Sequence, residues 1–155
     1  MPNQKMKLTD AYELAQQVLI TIAGYCKQAR IAGSIRRGTK AYVGDIEIVA
    51  IPQPGGRDRI KFGGAVAADG LDAFLLGLEA SGEITRHISA DPRQHCWGPR
   101  HKKFLLAGGG GTGWLPVMVD LYVVKPPAQW GAIYALRTGP ADFNQAIMSQ
   151  VLPIR

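Results

Sequence analysis

The chain has 155 residues, 46% of them hydrophobic and 19% charged, which suits one compact domain with a real core and leaves little room for a second. Eighteen Lys+Arg against twelve Asp+Glu give a formal net charge of +6, which favours a polyanionic partner, although ordinary solubility charge gives the same count. Cys26 and Cys96 are too few for a disulfide framework, the N-terminus lacks the apolar core of a signal peptide, and no segment is apolar for the ~20 residues that a membrane helix needs. The expectation is a soluble protein of a reducing compartment, the cytoplasm (that of a host for a viral protein), with no membrane partner.

Leu8, Tyr12, Leu14, Ala15, Val18, Leu19, Ile22 and Tyr25 recur at three- and four-residue spacings. This predicts an amphipathic packing helix over residues 7–28, with Thr9 as its N-cap and an end near Lys27. Arg30 to Ala32 is too short to stand alone as a strand. Gly44 to Ile51 reads as a strand with Ile46, Ile48 and Ala50 on one face and Asp45, Glu47 and Val49 on the other. "PQPGGRDR" and "KFGGAVAADG" supply Gly- and Pro-rich loop chemistry. Leu71, Phe74, Leu75 and Leu78 predict a second helix that stops near Gly82, and "EITRHIS" and "KKFLLA" read as antiparallel strands around the basic loop "DPRQHCWGPRH".

The run Gly108 to Gly113 reads as a hairpin connection, because it lacks the Lys-Ser/Thr ending of a phosphate-binding loop and no helical pattern follows it. In "LPVMVDLYVV" the apolar row Val117, Val119, Leu121 and Val123 leaves Met118, Asp120 and Tyr122 on the other face. Trp130 to Leu136, the turn "RTGPADFN" and a helical start over residues 143–152 complete the chain.

Acids at alternate positions of one strand also describe an ordinary solvent-exposed edge. Three features point further: a Gly-Ser turn ahead of the strand, an arginine pair after that turn, and a third acid on another apolar strand. A three-carboxylate cluster repels itself unless cations neutralise it, and hard oxygen ligands suit Mg²⁺ or Mn²⁺. Two such ions about 4 Å apart clamp an in-line phosphoryl displacement. Gly33 lets backbone amides approach a phosphate, the Ser34 hydroxyl donates to it, and Arg37 grips it as a fork. The stretch reads as a triphosphate cradle joined to a metal site.

"GSIRRG…GDIEIV", followed by "VDLYVV" and "RTGPADFN", resembles the family X DNA polymerases, the polymerase-beta-like branch of the nucleotidyltransferases, over about Ala29 to Met148. The resemblance implies an α+β (mixed α/β) palm, with a mixed, largely antiparallel sheet, helices on one face and the acids on the other, as one domain over residues 1–155. It implies that Asp45, Glu47 and Asp120 bind two Mg²⁺ or Mn²⁺ ions and are catalytic, with Asp120 acting on a primer 3′-hydroxyl. It implies that Ser34 and Arg37 hold the β- and γ-phosphates of a nucleoside triphosphate, with Gly33 and Gly44 beside them. Gly139 would bend the chain beneath the sugar and base, and Asn144 would touch the base edge.

The chain departs from the family at Glu47, where aspartate is usual, and at Met118, where arginine is usual. It carries no counterpart of the family's lyase domain or C-terminal subdomain, so a partner supplying the missing subdomain is an expectation. The implied reaction is nucleotide transfer from a (d)NTP to a nucleic-acid 3′-hydroxyl, on a DNA primer-template that includes gapped DNA. Alternatives keep the chemistry with an RNA, protein or small-molecule acceptor, or drop it for a non-catalytic nucleic-acid-binding module. In that module Arg100, Lys102 and Lys103 would track a backbone and Trp97 would stack on a base. His95, Cys96 and His101 match no common zinc spacing, and Trp114 and Trp130 read as packing residues.

Overall fold

The computed structural model describes residues 5–53, 70–91, 96–107, 116–125, 128–142 and 144–146. The Gly108 to Gly113 run, His95, Trp114, Phe143, residues 147–152 of the expected C-terminal helix and most of the Gly/Pro-rich stretch after Gln53 lie outside them. Residues 141–142 and 144–146 are helical.

Strand β1 (Met6–Lys7) leads directly into helix α1 (Leu8–Ile22). Lys7 is the N-cap, without a side-chain cap, so Thr9 does not cap this helix. The Leu8 N–H donates instead to the Ala41 carbonyl at 2.9 Å, beside strand β3 (Tyr42–Val43), which pairs with β1. A backbone acceptor from the small sheet thus takes the orphan donor that a cap side chain would otherwise satisfy. Ala11, Ala15, Val18 and Ile22 are the buried stripe of α1, and two alanines let the helix lie close to the sheet. Tyr12, expected in that stripe, is half exposed. The helix stops at Ile22 rather than near Lys27, because Ala23–Tyr25 tightens into a 3₁₀ turn and β2 (Cys26–Ala32) starts at once.

The second sheet has the order β2-β4-β7-β6-β5, with β4 (Asp45–Pro52), β7 (Val117–Val123), β6 (His101–Leu106) and β5 (Ile84–Arg86). Only the β4–β7 pairing is parallel, so the sheet is mixed and largely antiparallel, and the domain is α+β. One face carries Ile46, Ile48, Ala50, Val119, Leu121 and Phe104, and it is covered by α1 and by α3 (Gly70–Ala80) through Leu71 and Leu75. Helix α3 ends in a Schellman motif: the Glu83 N–H donates to the Leu78 carbonyl and the Gly82 N–H to the Glu79 carbonyl, with Gly82 at φ +81. The short helix α2 (Gly33–Arg37) follows β2 and buries Ile35 in the same core.

The other face is not bare. Helix α4 (Trp130–Thr138) lies on it, with Trp130, Ile133 and Tyr134 packed over Ala32, Val49 and Val124. The expectation that every helix packs on one face is corrected here: Val49 is apolar and sits between the acids and the α4 cover. No helix among the described residues is long and apolar enough to cross a membrane.

Two isoleucines of α1 test this packing, since Ile22 is 2% exposed and Ile20 is 76% exposed. Ile22→Ala is expected to destabilise the protein by about 2–4 kcal/mol, and Ile20→Ala by less than about 0.5 kcal/mol, in urea denaturation. Equal losses at the two positions would contradict the helix orientation.

Candidate active site

Parallel pairing of β4 with β7 sets Glu47 opposite Asp120 and Asp45 opposite Met118. Side chains alternate along a strand and register partners share a face, so Asp45, Glu47 and Asp120 lie together on the face opposite Ile46, Ile48, Val119 and Leu121. The next pairing brings β6 in: Lys103 stands opposite Asp120 and His101 opposite Tyr122. Three acids are therefore bordered by a lysine and a histidine on one patch of sheet.

The acids are held at a cost. Glu47 is pushed up to about 7 by burial and then by the negative charges of Asp45 and Asp120, against the pull of Arg37 and Arg137. Asp45 is raised by burial and by Asp120, while Lys103 and Lys40 oppose the rise. Side chains of this molecule thus neutralise the cluster only in part. An array of hard oxygen donors with unrelieved negative charge fits Mg²⁺ or Mn²⁺, for which Asp45, Glu47 and Asp120 would be the ligands. Among the described residues, no three His, Cys, Asp or Glu side chains close into a metal cage by themselves. One oxygen of the Asp120 carboxylate is engaged by His101 Nε2 at 2.7 Å, and the other lies 3.9 Å from Lys103 Nζ.

Gly33 is required here for two reasons. Its φ of +61 belongs to the left-handed region, and a Cβ at this position would collide with the Glu47 carboxylate and lie 2.6 Å from its Cδ. The Gly-Ser turn and the acid strand are thus in direct contact. Ser34 follows in α2, half-buried. Arg37, at the end of α2, donates from Nη1 to the Thr138 carbonyl at 2.8 Å, which ties the turn to the end of α4. Gly44 is half-buried immediately before β4. Gly139 caps α4 with its N–H on the Ala135 carbonyl at 2.9 Å. Asn144 folds back onto the same turn, donating from Nδ2 to the Leu136 carbonyl at 2.5 Å and the Gly139 carbonyl at 3.3 Å. Its amide nitrogen is committed to capping α4, which leaves Oδ1, buried and unpaired, in place of the full base-edge contact expected from the sequence.

The expected nucleic-acid contacts divide. Arg100 is exposed in the turn before β6. Lys103 lies on the acid face. Lys102 is corrected: it is buried on the opposite face, with Nζ 3.0 Å from Asp72 of α3, donating to the Gly98 carbonyl at 3.1 Å. Alternation along β6 forces this, because Lys102 shares its face with Phe104. Trp97 is likewise a packing residue, set edge-to-face against Phe104, with Arg86 and Lys102 over its ring.

The sequence places Tyr122 on the face of Asp120, but it does not bring His101 and Arg137 to this patch. The His101 ring stacks on Tyr122 at 4.6 Å, and the Arg137 guanidinium lies over Tyr122 at 4.0 Å. Burial and Asp120 push the Tyr122 phenol up to about 12, so it stays neutral. The spacing His101, Lys103 within "HKKFLL" was a visible signal, but only the pairing with β7 gives it meaning.

Compared with known proteins, the chain matches no protein-family model and no curated protein.

The raised Glu47 makes metal-free stability depend on pH. Between about 4.5 and about 7 the unfolded chain releases a proton that the folded chain retains, so stability falls as pH rises across that window. Glu47 is partly exposed and screened by solvent, which cuts the penalty to about 1 kcal/mol, or ~2–4 °C of Tm. Glu47→Gln is expected to melt that much higher than wild type at pH 8 without metal, and level with it near pH 4.5. A lower Tm for the variant at pH 8 would refute the electrostatic account. Gly33→Ala is expected to lose about 1–2 kcal/mol in the same assay, from its left-handed backbone and the displaced Glu47.

Proposed function

We propose that the chain is a metal-dependent nucleotidyltransferase of the family X DNA polymerase kind, joining a nucleotide from a (d)NTP to a nucleic-acid 3′-hydroxyl and releasing pyrophosphate. The observation that carries the reading is the placement of Asp45, Glu47 and Asp120 on one face of two parallel-paired strands. The ordered motifs "GSIRRG", "GDIEIV", "VDLYVV" and "RTGPADFN" support the same branch.

The protein's part in such a reaction is positioning and charge. Divalent cations, when bound to the three acids, would supply charge neutralisation for the phosphates and make the hydroxyl a better nucleophile. Asp45 and Glu47 would hold the cations that accompany the triphosphate, and Gly33 keeps the turn close to Glu47, where Ser34 would reach a phosphate oxygen. Arg37 uses one of its donors on Thr138, and its remaining N–H groups are available to the β- and γ-phosphates. Asp120 receives the hydroxyl proton as the oxygen attacks the α-phosphorus and the bond to pyrophosphate breaks. Lys103 and Arg100, beside the acids and in the adjoining turn, meet the nucleic-acid backbone.

The test is incorporation of labelled dNTPs and NTPs into a primer, with and without template, in Mg²⁺ and in Mn²⁺. Asp120→Ala is expected to reduce transfer by at least ~10²-fold while triphosphate binding stays within about twofold. Arg37→Ala is expected to weaken triphosphate binding about tenfold, the worth of a charge-assisted contact. Wild-type turnover in both variants, or incorporation indifferent to divalent metal, would sink the proposal. Labelling of a protein or small molecule, without primer extension, would move the acceptor and leave the metal chemistry in place.

A further inference from the structure

We infer that His101 is a positioning residue for Asp120, and that Tyr122 and Arg137 hold its imidazole in place; this rests on the nucleotidyltransferase reading above.

Asp120 stands on the central strand β7 with its side chain 6% exposed, and His101 stands on the neighbouring β6 with its side chain 33% exposed. The 2.7 Å contact joins His101 Nε2 to Asp120 Oδ1. A carboxylate accepts and does not donate, so Nε2 carries the hydrogen. That bond fixes one oxygen and with it the side-chain torsions of the acid. The other oxygen then faces Lys103, whose 3.9 Å separation is an electrostatic approach rather than a hydrogen bond. Asp120 is thereby presented with one oxygen held by His101 and the other left near Lys103 without a hydrogen-bonded partner among the described residues, on the sheet face it shares with Asp45 and Glu47.

The imidazole is itself constrained. It stacks on Tyr122 with the rings 10° from parallel, and Arg137 lies over the same tyrosine ring. Three elements, β6, β7 and α4, therefore contribute to the setting of one carboxylate. Groups that hydrogen-bond to a ligating side chain orient it for the ion, and their loss typically weakens metal affinity or activity 10–100-fold. His101 takes this part toward the Asp120 oxygens without being a metal ligand.

The experiment measures Mn²⁺ affinity by EPR titration of the full chain for wild type, His101→Leu, His101→Gln and Asp120→Asn. His101→Leu is expected to weaken Mn²⁺ binding by ~10-fold or more, and His101→Gln, whose amide can donate over a similar reach, to stay within ~3-fold of wild type. Should the Leu variant fail to fold, His101→Asn replaces it, because its shorter amide does not reach Asp120 and the same ~10-fold loss is expected. Equal affinities for His101→Leu and wild type, or an equal loss in the Gln and Leu variants, overturn the inference. An Asp120→Asn variant with unchanged Mn²⁺ affinity overturns the metal site itself, so the two failures are distinguishable. In primer extension the Leu variant is expected to lose kcat ~10-fold with KM for the nucleotide within about twofold, and a loss confined to KM contradicts positioning of the acid.

Discussion

Two carboxylates on adjacent parallel strands, Glu47 on β4 and Asp120 on β7, repel each other, and everything around them answers that repulsion. They stay adjacent because the opposite face of the same two strands is locked into the core by Ile46, Ile48, Val119 and Leu121, each no more than 1% exposed. A slip of one residue would send those four side chains to the acid face, losing on the order of 1.5–3 kcal/mol for each one exposed. The hydrophobic register is therefore the force that holds the charge cluster together. Repulsion among two partly exposed acids and the buried Asp120 is small beside that sum, and so the fold tolerates it.

The C-terminal turn of α4 is where the other parts of the site converge. Arg37 reaches the Thr138 carbonyl from the end of α2, Asn144 caps the Leu136 and Gly139 carbonyls, and Arg137 lies over Tyr122 of β7. Carbonyls at the end of a helix lack intrahelical partners, so this terminus must recruit donors from elsewhere. An arginine and an asparagine supply them. The same requirement explains why Arg37 and Asn144 are engaged within the protein: both donate to carbonyls at the end of this helix.

The acid face was legible in the sequence because period-two alternation survives in "DIEIVAI" and "VMVDLYV", both of which became strands with the expected division of faces, although Val49 and Asp120 on the acid face are buried. The end of α3 was legible for a local reason, the left-handed Gly82. The edge strand β2 was not legible. Its ladder carries a bulge between Cys26 and Gln28, which puts the exposed Lys27 where the apolar row of Ala29 and Ile31 would continue and so hides the alternation. The extent of α1 was misjudged because alanine carries little hydrophobic signal, yet Ala11 and Ala15 form the contact while Tyr12 turns outward. Lys102 and Lys103 look alike in a basic run, and only the pairing of β6 with β7 sends one into an ion pair with Asp72 and the other toward Asp120. Long-range register, the information that separated them, is absent from any local window.

The charge balance of the patch sets how its chemistry can proceed. Lys103, Lys40, Arg37 and Arg137 each lower the pKa of Asp45 or Glu47, yet both acids remain raised, because burial and the neighbouring carboxylates outweigh these cations. Moving a lysine into the centre would neutralise the cluster, but under the proposed reaction it would also fill the space that a phosphate and its counterions would need. A cluster left partly un-neutralised, and close to neutral pH at Glu47, is one in which protons and divalent cations compete for the same oxygens. His101 and Gly33 set where the acids stand in that competition: the first holds an oxygen of Asp120, and the second leaves the Glu47 carboxylate the space that a Cβ at that turn would fill.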